Sequence, residues 1–217
     1  MPKEALLVST VARVTGEISR MVMEGALKPG EKLNEVAFAT KFDVSRNTLR
    51  ESFRTLIRDG LLVHYINRGV YVKSFELDEV EKLYQFRRFM QLSCISFFEA
   101  NAHCSSLADA MLLVATRAEE AAGAGDWGAV AHHNNEFHLR IFDIPDNEQV
   151  REIGRDIVVQ FRLVFMNSGQ GPDVHGPFIQ RNKEIAEALA AGETDRACEL
   201  LDDYLGRSLE VARARYR

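Results

Sequence analysis

The sequence predicts a mainly α chain, an N-terminal winged helix-turn-helix followed by an all-α bundle of six helices. Three observations lead there. Between Leu33 and Lys73, two short amphipathic segments precede two runs of branched and aromatic residues set around a turn. From Asp78 onward every long segment has helical periodicity and none alternates as a strand does. Charge divides at the same place: residues 1–73 hold a formal +4 in a chain of −5, which leaves −9 for residues 74–217.

In chain order, Val11, Val14, Ile18 and Val22 recur at helical spacing, so residues 6–24 form a first helix, and Lys28-Pro29-Gly30 turns out of it. Asn34 can cap a short helix whose apolar positions Val36, Ala37 and Phe38 need a partner to cover them. Phe42-Asp43-Val44 breaks that pattern. Ser45 can then accept from the amide of Asn47 or Thr48 and start a second helix. Its stripe of Leu49, Phe53, Leu56 and Ile57 faces inward and leaves Arg46, Asn47 and Arg50 outward, in the first turn, where a recognition helix reaches base edges and phosphates. Gly60 ends the helix. Leu61 to Tyr65 and Val70 to Lys73 form a hairpin wing around Ile66-Asn67-Arg68-Gly69, with Arg68 at its tip. The candidate DNA contacts are therefore Ser45, Arg46, Asn47, Thr48, Arg50, Arg68 and Gly69.

A length of 217 residues suits two modules, expected at 1–73 and 80–217 with a connector over 74–79. Only the first has the charge to approach phosphate. Cys94, Cys104 and Cys198 have neither metal-ligand spacing nor an even count, which fits reduced thiols in a cytoplasm. No apolar run reaches signal length or the ~20 residues of a membrane span, so a soluble, unexported protein is expected.

In the second module, turn signals at Cys104-Ser105-Ser106, Ala122 to Asp126, Ile144 to Asn147, Gly169 to Pro172 and Ala191 to Thr194 punctuate six expected helices. These lie at roughly 78–102, 106–122, 127–142, 147–167, 174–191 and 194–214. The interior of such a bundle can hold a small ligand.

Leu33, Glu35, Phe38-Ala39, Val44-Ser45-Arg46, Arg50-Glu51, Leu56 and Asp59-Gly60-Leu61 together resemble the GntR family of bacterial transcription regulators. There are departures: Asp43 stands where the family usually has glycine, Asn47-Thr48 where Thr-Pro is common, and Val36 where many members carry a phosphate-contacting arginine. Asn47 offers an amide that can pair with adenine, which bears on the operator sequence. The second module resembles the FCD effector domain of FadR-type members. The resemblance rests on Leu83 to Arg88, Asn134 to His138, Ile185, Ala188 to Gly192, Ala197 and Tyr204-Leu205.

The resemblance implies a homodimer, a double-stranded operator with an inverted repeat, a repressor's role at the bacterial nucleoid, and a small-molecule effector for which a carboxylate is the candidate. Many FCD domains hold a divalent metal, and the matching positions here are Asn134, His138, Asn182 and Tyr204. Two imidazoles are thereby missing, so a tight zinc site is not expected. What remains open is a weak site completed by water or by His175, and the favoured role of His138 is a hydrogen-bonded histidine within the bundle. His132 and His133 lie largely off that face and read as surface or interdomain residues. The candidate effector residues are Arg87, Asn134, His138, Arg162, Asn182 and Tyr204; Arg162 rests on helical phase alone. Arg87 is open between clamping a carboxylate and anchoring the first bundle helix. Two alternatives remain, an architectural DNA binder without effector and, more weakly, an enzyme on the bundle. The second lacks a nucleophile beside a base and a glycine-rich phosphate loop.

Overall fold

A computed structural model of the chain describes residues 3–99, 102–166 and 171–216. Among these the chain order is α1 (Lys3–Met23), β1 (Lys32–Leu33), α2 (Glu35–Phe42), α3 (Arg46–Arg58), β2 (Leu62–Tyr65) and β3 (Gly69–Val72), then helices α4 (Leu77–Ser96), α5 (Ala102–Gly123), α6 (Trp127–Ile141), α7 (Glu148–Met166), α8 (Pro172–Ala190) and α9 (Thr194–Arg213). The architecture is mainly helical, with a winged helix-turn-helix and a six-helix bundle among the described residues. No helix among them is long and apolar enough to cross a membrane. Two compact units result. The first runs to Ser74 and includes the end of α7 from Val159, and the second holds the remaining described helical residues.

In the first unit, Val14, Ile18 and Val22 of α1 are fully buried and pack with Leu49, Phe53 and Leu56 of α3 in one apolar core. Asn34 caps α2, its side chain accepting from the amides of Val36 and Ala37 at 2.9 and 3.1 Å. The buried face of α2 is nevertheless Ala39 and Phe42, with Phe38 half-buried, whereas Val36 is 53% exposed and Ala37 is exposed too. The expected inward face was thus shifted by about one turn, because α2 packs through its C-terminal end. Asp43 ends the helix at φ 53°, a left-handed position where glycine is free and a short polar side chain is tolerated. That accounts for an aspartate where the family pattern has glycine.

The wing is a three-stranded antiparallel sheet in the order β1-β3-β2, with Leu62 opposite Val72 and Leu33 opposite Val70. Strand β1 was not anticipated, since two residues are too short to show alternation. Tyr65 pairs with Gly69, and Arg68 donates its amide to the Tyr65 carbonyl at 3.0 Å across the turn.

In the second unit, α5 packs on α6 and α8, while α9 packs on α4 and α8. Helix α4 begins at Leu77, inside the expected connector, behind a capping box between Glu76 and Glu79. The expected turn at Cys104-Ser105-Ser106 is instead the first turn of α5. Cys104, Leu107, Ala108 and Met111 are all buried, so the cysteine opens the inward stripe and the serines merely occupy the outer face of a helix start. The break falls earlier, from Phe97, so the first bundle helix stops at Ser96 and does not reach 102. Of the turn expected at 169–172, residues 169 and 170 lie outside the described residues; Gly171 and Pro172 open α8 as N-cap and first helical residue. Gly154 on α7 lets the helix close onto Phe142, since a Cβ there would run into the Phe142 ring.

Candidate functional site

The candidate reading face comprises the start of α3 and the wing tip. Ser45 caps α3, its hydroxyl accepting from the Thr48 amide at 3.1 Å and lying 2.9 Å from the Thr48 hydroxyl. Thr48 is buried, so its side chain serves the cap and does not face outward. Arg46 and Asn47 are exposed in the first turn, and Arg46 makes no ion pair among the described residues. Arg50 is exposed as well but is held by Glu35 of α2, with guanidinium-to-carboxylate distances of 3.0 and 2.9 Å. Arg68 is exposed at the tip of the wing, next to the half-buried Gly69 at φ 102°. Arg46, Asn47, Arg50 and Arg68 thus remain available to a ligand, while Ser45 and Thr48 shape the helix start.

The second unit encloses a polar cluster in an apolar bundle. Asn134 on α6 is its centre: the Asn182 amide of α8 and the Tyr204 hydroxyl of α9 both donate to its Oδ1, at 2.8 and 2.9 Å. One turn further along α6, the buried His138 ring lies 4.6 Å from the Tyr204 ring, which also packs on Phe178 at 4.8 Å. From α4, the buried Arg87 donates through Nε to Gln91 Oε1 at 3.0 Å and lies 5.9 Å from the centre of the Tyr204 ring. Gln91, fully buried, in turn places its Nε2 3.2 Å from the His138 carbonyl and 3.3 Å from His138 Nδ1. Burial, aided by the positive charge of Arg87, pushes the His138 pKa well below the ordinary histidine value of 6.5, so the ring is neutral. Burial likewise lowers the Arg87 pKa and raises that of Tyr204. Tyr84 and Ser208 close the neighbouring layer with a 2.6 Å hydrogen bond.

Five of the six candidate effector residues therefore belong to one cluster. Arg162 does not. It lies on the part of α7 that belongs to the first unit and donates to the Met23 carbonyl at 2.9 Å, so its helical phase pointed to a different neighbour. Gln91 was missed, although its position four residues after Arg87 puts both on one face of α4 and could have found it.

Residues 10–72 match the model of the gntR family of bacterial regulatory proteins, and residues 82–207 match the FCD domain. The chain belongs to the GntR family. It is 33% identical to a GntR-type transcriptional regulator from Rhodococcus sp. RHA1, whose crystal structure it matches with a TM-score of 0.86 over 96% of this chain and 100% of that one. It is 26% identical over 209 residues to the HTH-type transcriptional regulator YdhC of Bacillus subtilis (strain 168), covering 89% of this chain and 92% of the relative. Over 143 residues it is 28% identical to the Nta operon transcriptional regulator of Aminobacter aminovorans, covering 66% and 67% of the two chains. As a GntR regulator with an FCD domain, the chain is a ligand-responsive DNA-binding transcription regulator.

The metal that many FCD domains hold does not fit the residues present here. The four positions do converge, but Asn134 Oδ1 already receives two hydrogen bonds, and the groups giving them are an amide and a phenol where imidazoles would be needed. Burial raises the Tyr204 pKa and so opposes a phenolate ligand. His175 is buried on the same helix as Asn182, seven residues and so about two turns earlier. A separate group of His132, His133 and Glu136 brings three ligand atoms within 4.8 Å of one another on α6. It lies off the cluster, and Glu136 is paired there with Arg140 at 3.2 Å.

Proposed function

We propose that this GntR regulator binds an inverted-repeat operator as a homodimer and releases or tightens it when a small organic acid enters the FCD bundle, acting without turnover and in the cytoplasm. The observation behind this reading is the buried guanidinium of Arg87 beside the neutral cluster of Asn134, His138, Asn182 and Tyr204, inside an otherwise apolar bundle. A guanidinium at such a place can clamp a carboxylate with two hydrogen bonds, and the amide and phenol groups can order the remainder of the ligand. On the DNA side, Arg46, Asn47, Arg50 and Arg68 supply the reading face, with repression as the expected outcome of operator occupancy. The domain limits proposed are residues 1–73 for the reader and 80–217 for the effector domain.

The test is a titration of operator affinity against a set of organic acids, using full-length protein and an operator selected from random DNA. A coupling of ~1–3 kcal/mol changes affinity by roughly 5-fold to 150-fold. Arg87→Met and Asn182→Ala should each abolish that change and retain the effector-free affinity, with melting curves confirming folded protein. If an effector is found and both variants keep the full coupling, the pocket is elsewhere. If no acid shifts either operator affinity or melting temperature, the effector class is wrong.

A further inference from the structure

We infer that Gln91, oriented by Arg87, fixes His138 as an N–H donor at Nε2, so that the bundle recognises its effector through a donor and acceptor pair, His138 Nε2–H and Asn182 Oδ1. No chelated metal takes part. This deepens the effector reading and rests on it for the ligand's role, although the state of His138 stands independently.

A guanidinium can only donate, so the 3.0 Å contact from Arg87 Nε identifies which end of the Gln91 side chain is oxygen. Its amide nitrogen is thereby turned to His138, 3.2 Å from the carbonyl oxygen and 3.3 Å from Nδ1. Both Gln91 hydrogens find acceptors only if Nδ1 is bare. In a neutral ring the single proton then sits on Nε2. His138 Nε2 is buried without a hydrogen-bond partner among the described residues, and so is Asn182 Oδ1. Buried polar groups are expensive to leave unmade, and both of these belong to side chains at least nine-tenths buried in the cluster around Asn134 and Tyr204.

The two open valences specify a complementary molecule. An oxygen acceptor serves Nε2–H, and a hydroxyl or amino hydrogen serves Asn182 Oδ1, so the fitting class is a small carboxylate that also carries a hydroxyl or amino group. The same arrangement refuses a metal. A ligating histidine presents a bare nitrogen to the ion and donates its other N–H to a carbonyl or carboxylate. Here Nε2 carries the proton and Nδ1 faces an N–H donor, the reverse of that requirement.

The experiment uses full-length protein labelled with ¹⁵N-histidine and carrying His132→Ala and His133→Ala, so that the other imidazoles of α6 cannot take the added metal. Nitrogen spectra, with His138 assigned by His138→Gln, should show Nε2 protonated and unchanged on addition of zinc chloride. Gln91→Glu places an acceptor beside Nδ1 and should move the proton there, tightening zinc at His138 by about 10- to 100-fold. A proton on Nδ1 in the Gln91 protein, zinc displacing the Nε2 proton there, or no tautomer change in Gln91→Glu would each overturn the lock. For the ligand class, glycolate should raise the melting temperature more than acetate, and malate more than succinate. Equal shifts in both pairs would overturn the role of Asn182. Neither readout involves operator, so a failed operator response with the lock intact counts against the effector reading alone.

Discussion

His138 shows how one residue can be named from sequence and yet remain chemically undefined. Its place four residues after Asn134 was legible from helical spacing, and so was the absence of partner imidazoles at 182 and 204. Its protonation state was not, because that depends on Gln91 and Arg87 of α4, which meet it only through tertiary packing. Burial has a measurable consequence. The folded-state pKa is lowered well below 6.5, so the unfolded chain binds the proton more readily and stability contributed by the neutral ring is present above pH ~6.5. It is lost as pH falls from there toward the folded-state value, on the order of 1 kcal/mol per pH unit. Chemical denaturation between pH 7.5 and 5 should therefore show a falling stability whose slope is reduced in His138→Gln. An unchanged slope in that variant would place the acid sensitivity on other groups.

At the scale of elements, the reader helix α3 was legible nearly to the residue, since a serine cap, an apolar stripe and Gly60 all agree on its limits. Helix α2 and the start of α5 were less so. In both, composition named apolar or breaking residues correctly, but which turn faces the core is decided by the neighbouring helix, as the exposed Val36 and buried Cys104 show. The reading face carries a similar lesson, because sequence treated Arg46 and Arg50 alike. Structure separates them: Arg46 is exposed without an ion pair among the described residues, and Arg50 is held at 2.9 Å by Glu35. A phosphate or base contact by Arg50 must share or displace that carboxylate, whereas Arg46 gives up no such partner. Arg46→Ala should thus weaken operator binding by ~1–3 kcal/mol if it meets a base edge, or lower the salt slope by about one if it meets phosphate. Arg50→Ala should lose less, and Glu35→Gln should strengthen binding modestly by freeing Arg50. Fluorescence anisotropy at several salt concentrations distinguishes these outcomes; wild-type affinity and slope in Arg46→Ala would remove α3 from the reading face.

For the whole molecule, one winged helix reads one half-site, so binding an inverted repeat needs two copies related by a two-fold axis. Charge patterning in the sequence separated a basic reader from an acidic bundle but gave no interface, because apolar residues that face a partner and those that face the core look alike along the chain. Burial separates them. On α4, Phe86 and Phe89 stand three residues apart with exposures of 46% and 69%, while Tyr84, Arg87 and Gln91 of the same helix are buried within the bundle. Two neighbouring phenyl rings left in solvent are what a self-complementary contact between α4 helices would cover. Full burial of a phenylalanine side chain is worth roughly 1.5–3 kcal/mol, and a two-fold interface loses it twice. Phe89→Glu should therefore weaken dimerisation by about 100-fold or more, read by analytical ultracentrifugation, and operator binding should become steeply dependent on protein concentration. Helix content should be retained, since the ring contributes little to the monomer's own core, while the apparent melting temperature should fall and lose its dependence on protein concentration as the dimer is lost. A variant that stays dimeric at nanomolar concentration with unaltered operator affinity would place the two-fold contact on another surface, and α4 would then hold the effector cluster alone.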